Sequence, residues 1–435
     1  MDKISYEKFL ERLEKELVVT LGCTEPMAIA FAAALAKKHV KGELITSLRV
    51  LASTNVLKNA MAVNIPGAQG SGVDLAAALG VLAGDFTKGL EVLSGLTSRD
   101  VENAKRMIDQ KKVKVEVAKT DKKLYIEVIV HTPQSTAKVI VADEHTKIVF
   151  IEVDGKVLVD ALENESGSDG TEEIGNSADS FMTIDSIWEF VERVKVSDLS
   201  IIDKTIELNT SVGLEGLSKA YGLEVGKTIK EGISQGMLSD DLITNAMALT
   251  AGASDARMSG CTMPVMSNSG SGNQGISATL PVVAVGEKSQ ASREQIIRAV
   301  TLSNLIAIYI KTKIGRLSAL CGATASATGA SCGIAYLLGG GKAEVMSAIQ
   351  NMQGNTTGMF CDGAKAGCAM KLSTCTSAAV QSAIMAVQGK TIQSTNGIIE
   401  ESAEQTLENL GRLANQGSTA VDRVILDIMV QKKVG

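Results

Sequence analysis

Apolar positions in this chain recur with two periods. Up to residue 153 helical and strand spacings are mixed, and beyond residue 181 helical spacing dominates. Phe9, Leu10, Leu13, Leu17 and Val18 fall on one face of a first helix that Ser5 can cap and that stops near Leu21-Gly22. In Cys23-Thr24-Glu25-Pro26, Thr24 has the chemistry of an N-cap and Pro26 suits the first turn of a second helix running to about Lys38. Cys23 is therefore expected just outside a helix N-terminus. Residues 43 to 53 read as a strand, 73 to 82 as an apolar helix and 98 to 110 as a polar helix. Val113, Val115 and Val117 then alternate with polar residues, and apolar runs at 124 to 130, 137 to 142 and 147 to 153 follow, which predicts an antiparallel meander.

The segment from 161 to 180 carries Glu163, Glu165, Asp169, Glu172 and Glu173 among Ser and Gly, the composition of a linker. Helical patterns follow at about 183 to 194, 211 to 234, 239 to 255, 290 to 313, 316 to 338, 342 to 353, 364 to 388, 399 to 414 and 418 to 431, with one short strand-like run at 281 to 285. The expected fold class is α+β: a mixed α/β domain with antiparallel strands over 1 to 160, an acidic Ser/Gly linker over 161 to 180, and a mostly α-helical domain over 181 to 435. Gly22-Cys23-Thr24-Glu25-Pro26 is echoed by Gly260-Cys261-Thr262-Met263-Pro264, but no repeat of 20 to 50 residues is visible.

Composition narrows the function classes. The 435 residues are 45% apolar but only 3% aromatic, with 41 Gly, so cores are expected to rely on close backbone approach of helices. A net charge of -6 with scattered Lys and Arg offers nothing to a phosphate backbone, which argues against nucleic acid. The uncharged stretches 258 to 286 and 317 to 341 are too rich in Gly, Ser, Thr and Ala to read as membrane spans. The N-terminus shows no secretory pattern, so a cytoplasmic protein with reduced thiols is expected. Small-residue helices leave room for contacts between copies in a homo-oligomer.

The three histidines, at 39, 131 and 145, end a helix or flank strands, settings that read as structural or solvent-facing. Cysteine must then carry any unusual chemistry. Cys361 and Cys368 lie seven positions apart with Gly363 and Gly367 between them, and Cys321 arrives from a separate helix. Three thiols without an obvious fourth suit a four-iron cluster with one open iron; the alternative is that they are small residues packing helices. Cys332 and Cys375 are rival ligands by spacing, and Cys261 has no clear role. Cys23 is a proton-abstraction candidate, because backbone N–H groups at a helix N-terminus favour a thiolate.

Ser267-Asn268-Ser269-Gly270-Ser271-Gly272-Asn273-Gln274-Gly275 contains a literal G-x-G-x-x-G, but no strand precedes it and no βαβ unit surrounds it. It reads as a nest of backbone N–H groups with hydroxyls and amides, suited to one carboxylate. Arg257, Lys58 and Asp255 are further residues for fixing a small acid, each equally suited to salt bridges within the fold.

Together, Gly-Cys-Thr-Glu-Pro at 22 to 26, Ser-Asp-Ala-Arg-Met at 254 to 258, Met-Ser-Asn-Ser-Gly-Ser-Gly-Asn-Gln-Gly at 266 to 275, Leu-Ser-Ala-Leu-Cys at 317 to 321 and Cys-Asp-Gly-Ala at 361 to 364 resemble the iron-sulfur L-cysteine desulfidase family. The C-terminal part is similar to the alpha chain of iron-sulfur L-serine dehydratases. The resemblance implies a lyase, independent of pyridoxal phosphate, that converts L-cysteine and water to sulfide, ammonia and pyruvate. It implies a [4Fe-4S] cluster on Cys321, Cys361 and Cys368, with Cys23 as the base and the 267 to 275 segment at the substrate carboxylate. Dehydration of L-serine by the same machinery is the nearest alternative. A non-catalytic metal or redox-sensing cluster protein is the alternative of another class; it predicts four protein ligands and no substrate cavity. A nicotinamide enzyme has only the glycine pattern in its favour.

Overall fold

The computed structural model describes residues 3–162, 180–315 and 317–432, and the chain is α+β. The linker expected at 161 to 180 lies outside the described residues except at its two ends.

The chain opens with α1 (Lys3–Glu16), a two-residue strand β1 (Val19–Thr20) and α2 (Thr24–His39). Helix α1 begins before Ser5, which therefore sits inside it, and Cys23 rather than Thr24 occupies the N-cap of α2. Next come β2 (Ser47–Ala52), α3 (Thr54–Ala60), α4 (Val73–Ala83) and α5 (Ser98–Asp109), then β3 (Val113–Val117), β4 (Tyr125–His131), β5 (Thr136–Ala142), β6 (Ile148–Val153) and β7 (Lys156–Asp160).

Six strands form one sheet in the order β3-β2-β4-β5-β6-β7. β4 through β6 are the antiparallel meander expected from the three apolar runs, and β7, which was not among the expected strands, extends it. β3 departs from that expectation: it runs parallel to β2, and β2 separates it from β4. The crossover through α4 and α5 is what permits a parallel neighbour, since a tight turn cannot join parallel strands. Ile126, Val128 and Val130 of β4, with Val139 and Val141 of β5, are buried in one core with the Ala-rich α2 and the apolar α4. The two helices cross closely, since a Cβ on Gly80 would lie 2.4 Å from the Ala30 carbonyl oxygen.

Beyond the sheet are α6 (Ile184–Arg193), α7 (Ser200–Ser218), α8 (Val225–Ser234), α9 (Leu242–Met258), a second short strand β8 (Val265–Met266) and α10 (Gly272–Lys288). The chain continues through α11 (Arg293–Ile314), α12 (Gly322–Leu337), α13 (Lys342–Thr356), α14 (Cys368–Val387), α15 (Ala403–Arg412) and α16 (Thr419–Gln431). Two expectations are corrected. The helix predicted over 211 to 234 is two helices, separated where Gly222 and Glu224 take positive φ of 56° and 53°. The strand-like run at 281 to 285 lies within α10, which is buried on every side and so lacks the periodicity that separates a buried helix from a buried strand.

Helix α12 is buried from Ala323 to Ala335 and packs against α10, α11, α13 and α14. Small residues make this possible: a Cβ on Gly329 would lie 2.2 Å from the Ser303 carbonyl oxygen of α11. The first and last helices each cross to the other part of the chain. α1 buries Phe9 against Phe190 of α6, ring centroids 4.8 Å apart, while α16 packs on α3 and places Leu426 in the core beside the sheet. No helix among the described residues is long and apolar enough to cross a membrane.

Candidate functional site

Three short backbone contacts gather residues that are hundreds of positions apart. β1 pairs antiparallel with β8, Val19 opposite Met266, which brings the Gly22-Cys23 turn beside the segment that enters α10. Leu320 bridges Phe360, with Cys321 N–H donating to the Met359 carbonyl at 2.9 Å and Cys361 N–H to the Ala319 carbonyl at 2.8 Å, so Cys321 and Cys361 enter the site from adjacent strands of chain. Gly363, at φ +94°, lets the loop after Cys361 run against α3, where a Cβ would lie 2.4 Å from the Lys58 carbonyl oxygen.

The result is a cavity of about 90 Å³ framed by the N-terminal turns of four helices. α2 contributes Cys23, Thr24 and Glu25; α10 contributes Ser271, Asn273 and Gln274; α12 contributes Cys321, Gly322 and Ala323; and α14 contributes Cys368, Lys371 and Leu372. Arg257 near the end of α9, Asn59 of α3, and Cys361, Gly363 and Ala364 complete the lining. Cys23, Ser271 and Cys321 are the N-caps of their helices, and Cys368 is the first residue of α14. First-turn N–H groups and helix dipoles from four directions make this a site for negative charge.

Burial opposes that field at the thiols. It pushes Cys23 up to about 12, against the pull of the Arg257 guanidinium, and it raises Cys321 and Cys368 as well. At Cys23, desolvation therefore works against the thiolate that the Arg257 guanidinium and the helix N-terminus favour. Lys371 supplies positive charge. Although burial favours its neutral form, the Asp362 carboxylate and the nearby Cys321 and Cys361 raise its pKa, and Nζ donates to the Phe360 carbonyl at 2.8 Å. Asp362 is held at about 2, burial being overcome by its ion pairs with Lys365 and Lys371.

Arg257 is buried and its Nε donates to the Gly22 carbonyl at 3.1 Å, directly behind Cys23. Gly272 gives it room, since a Cβ there would lie 2.3 Å from Nε.

Among the residues singled out from the sequence, Cys23, Cys321, Cys361, Cys368, Arg257, Ser271, Asn273 and Gln274 line this one cavity. Ser267, Asn268 and Ser269 do not. Ser267 Oγ donates to the Val18 carbonyl, Asn268 Nδ2 to Asn304 Oδ1 at 2.9 Å, and Ser269 Oγ to Asn268 Oδ1, so their polar groups are committed to the scaffold. Gly270 and Gly272 shape the entry to α10 without lining the cavity. Lys58 is buried in an ion pair with Asp422 of α16. Asp255 points to α8, where Oδ2 accepts from Gly226 N–H at 3.0 Å.

Cys332 donates to the Thr328 carbonyl within α12, Cys375 contacts Met359 Sδ at 3.7 Å, and Cys261 is buried in the helical core; none of the three lines the cavity. Glu25, Asn59 and Lys371 were given no role by the sequence. Glu25 lies two positions beyond Cys23 at a helix start, which is the signal that could have found it. His145, read as structural or solvent-facing, is buried with Nε2 4.0 Å from Glu25 Oε1.

Over residues 87–427 the chain matches the family described as serine dehydratase alpha chain. That span includes Arg257, the start of α10 and Cys321, Cys361 and Cys368, whereas Cys23, Glu25 and Asn59 precede it. Relatives span the whole chain. The UPF0597 protein of Oleidesulfovibrio alaskensis is 45% identical over 433 residues, covering 100% of both chains. Those of Shewanella pealeana and Parabacteroides distasonis are 46% and 43% identical, the first over 98% of each chain, the second over 99% of this chain and 100% of its own.

Proposed function

This chain belongs to the serine dehydratase alpha-chain family, and from that membership we propose that it is an iron-sulfur lyase acting on a small β-substituted L-amino acid. In this reading L-cysteine and water are converted to sulfide, ammonia and pyruvate. One observation carries it: Cys23, Cys321, Cys361, Cys368 and Arg257, from five separate segments, line one cavity.

The donor set suits an iron-sulfur group. Cys321, Cys361 and Cys368 offer sulfur, the usual ligand of such clusters. All three thiols line the one cavity, and that shared lining is what supports the fit. Lys371 and the N-termini of α12 and α14 would offset the charge of the deprotonated thiols. A [4Fe-4S] cluster held by these three cysteines would supply an open iron, a Lewis acid toward the substrate's β-heteroatom.

The chain's own residues then do the rest. Arg257, with the first turn of α10, binds the substrate carboxylate, a guanidinium being able to grip it through two bonds. In its thiolate form, which the Arg257 guanidinium favours against burial, Cys23 Sγ accepts the α-proton, and the electron pair of the broken C–H bond forms the α,β double bond as the β-carbon to sulfur bond breaks. The sulfide departs, and the enamine left behind tautomerises and is hydrolysed by water to pyruvate and ammonia without further help. Burial keeps water away from Cys23, which favours transfer from carbon over exchange with solvent.

Dehydration of L-serine is the second reading, favoured by the family's description. Iron accepts oxygen or sulfur, so the ligands do not choose between them. A non-catalytic cluster with Cys332 or Cys375 as the fourth ligand finds less support, because neither lines the cavity. The test is anaerobic reconstitution with iron and sulfide, followed by pyruvate formation from L-cysteine and L-serine measured side by side. Pyruvate from neither substrate, with the cluster's absorbance present, rejects the lyase reading.

A further inference from the structure

Two buried charges of opposite sign border the cavity without a full counter-charge from the chain. Arg257 donates to the Gly22 carbonyl and forms no ion pair with a carboxylate among the described residues. Glu25 is also buried, and its hydrogen bonds come from neutral donors: Oε1 accepts from Asn59 Nδ2 at 2.9 Å and Oε2 from Thr24 Oγ1 at 3.0 Å. No Lys or Arg among the described residues pairs with it; the one ionisable group facing it is the buried His145, whose Nε2 lies 4.0 Å from Oε1, an ion pair only when the imidazole is protonated and too long for a hydrogen bond. A carboxylate can accept about four hydrogen bonds, so these two leave capacity unused, and a buried charge left unpaired is costly. A third observation points the same way. Gln274 is buried, lines the same cavity, and its Oε1 has no hydrogen-bond partner.

We propose that Glu25 binds the α-ammonium of the substrate, with the amide oxygen of Gln274 as a second acceptor, so that Arg257 and Glu25 together select an amino-acid zwitterion. The inference rests on the lyase reading only for the substrate class. An ammonium brings three donors to acceptors that lack them, and a carboxylate brings the anion that Arg257 lacks. Cys23 stands between the two charges in the chain: Arg257 is anchored to Gly22 on one side of it, and Glu25 lies in the first turn of α2 on the other. A zwitterion held at both ends would share the cavity with Cys23, which lines it beside them.

The test compares L-cysteine with 3-mercaptopropionate, which keeps the thiol and carboxylate but lacks the ammonium. Binding of each to the reconstituted holoenzyme is measured by calorimetry in the wild type, Glu25→Gln and Glu25→Asp, with pyruvate formation measured in parallel. Glu25→Gln is expected to weaken L-cysteine about 30-fold or more, the scale for losing one partner of a desolvated charge pair, while 3-mercaptopropionate stays within about two-fold. Glu25→Asp, which restores the charge on a shorter arm, should recover part of the loss. Equal weakening of both ligands would mean Glu25 only shapes the fold and would overturn the proposal, as would unchanged L-cysteine binding or a wild type that does not prefer L-cysteine over the deaminated analogue. Glu25-dependent binding of L-cysteine with no pyruvate from L-cysteine or L-serine would uphold the subsite and reject the lyase reading instead.

Discussion

Lys58 Nζ donates to the carbonyl oxygen of Cys361 at 2.9 Å across 303 positions of sequence. The same ammonium is paired with Asp422 on α16, whose carboxylate also accepts from Asn55 Nδ2 at 2.6 Å. A lysine that the sequence offered to a substrate instead braces the loop carrying one of the proposed ligands, and α16 closes over it from outside.

Lys58→Met is accordingly expected to destabilise the protein by about 3 kcal/mol, the lower end of the range for stranding one partner of a buried pair, because Asp422 keeps some contact with water. Urea denaturation reads the loss. Cys361 should also react faster with an alkylating reagent while Cys375, buried in the helical core, does not. Unchanged stability and an unchanged alkylation rate would remove Lys58 from this role.

Cys23→Ala should lower turnover by at least about 100-fold, the usual contribution of a positioned proton acceptor, and leave the absorbance of the reconstituted cluster intact. Cys23 packs beside Val63 and Met258, and alanine keeps most of that contact. Loss of the spectrum together with activity would make Cys23 a ligand and not a base.

At Arg257 the geometry of the charge should matter as much as its sign. Arg257→Lys retains a cation but not the planar fork, nor the bond from Nε to the Gly22 carbonyl, and kcat/KM is expected to fall about 10- to 100-fold. Inhibition by 3-mercaptopropionate should weaken in parallel, since that analogue keeps its carboxylate. A change below two-fold in both would place the substrate carboxylate elsewhere.

Asp255 makes a prediction about pH. Burial raises its pKa to about 6, against hydrogen bonds from the N-terminus of α8, and its Oδ1 has no partner. A carboxyl whose folded pKa exceeds the unfolded value of about 3.9 binds more protons when folded between those values, so its contribution to stability falls as pH rises through that window. Asp255→Asn should flatten the stability profile between pH about 4 and about 6, measured by urea midpoints. A variant with the wild-type slope there would show that Asp255 does not titrate in this window.

Much of the scaffold was legible from local pattern. The strands β4 to β6 fall on the three apolar runs that end at residue 153, and most helices after residue 181 start or stop within a few residues of where caps and periodicity put them. The failures share a cause. β3 joins β2 in parallel because of a crossover that its own five residues do not encode, and α10 is buried all round, so neither period stands out. α3, with seven residues, is too short for a periodic signal.

At the site, the sequence by itself determined the chemical inventory: Cys23 next to a helix start, Cys361 and Cys368 joined by a glycine-bearing loop, and Arg257 within its motif. Tertiary structure decided which of those groups are free to act. Ser267, Asn268 and Ser269 look as well suited to a carboxylate as Ser271 and Gln274, yet their hydrogen bonds go to Val18, Asn304 and each other, while Gln274 Oε1 is left without a partner. Glu25 and Lys371 gain meaning only where four helix N-termini meet. Buried polar groups must find partners, and those partners are chosen by spatial neighbours up to hundreds of residues away, a choice that local spacing does not record.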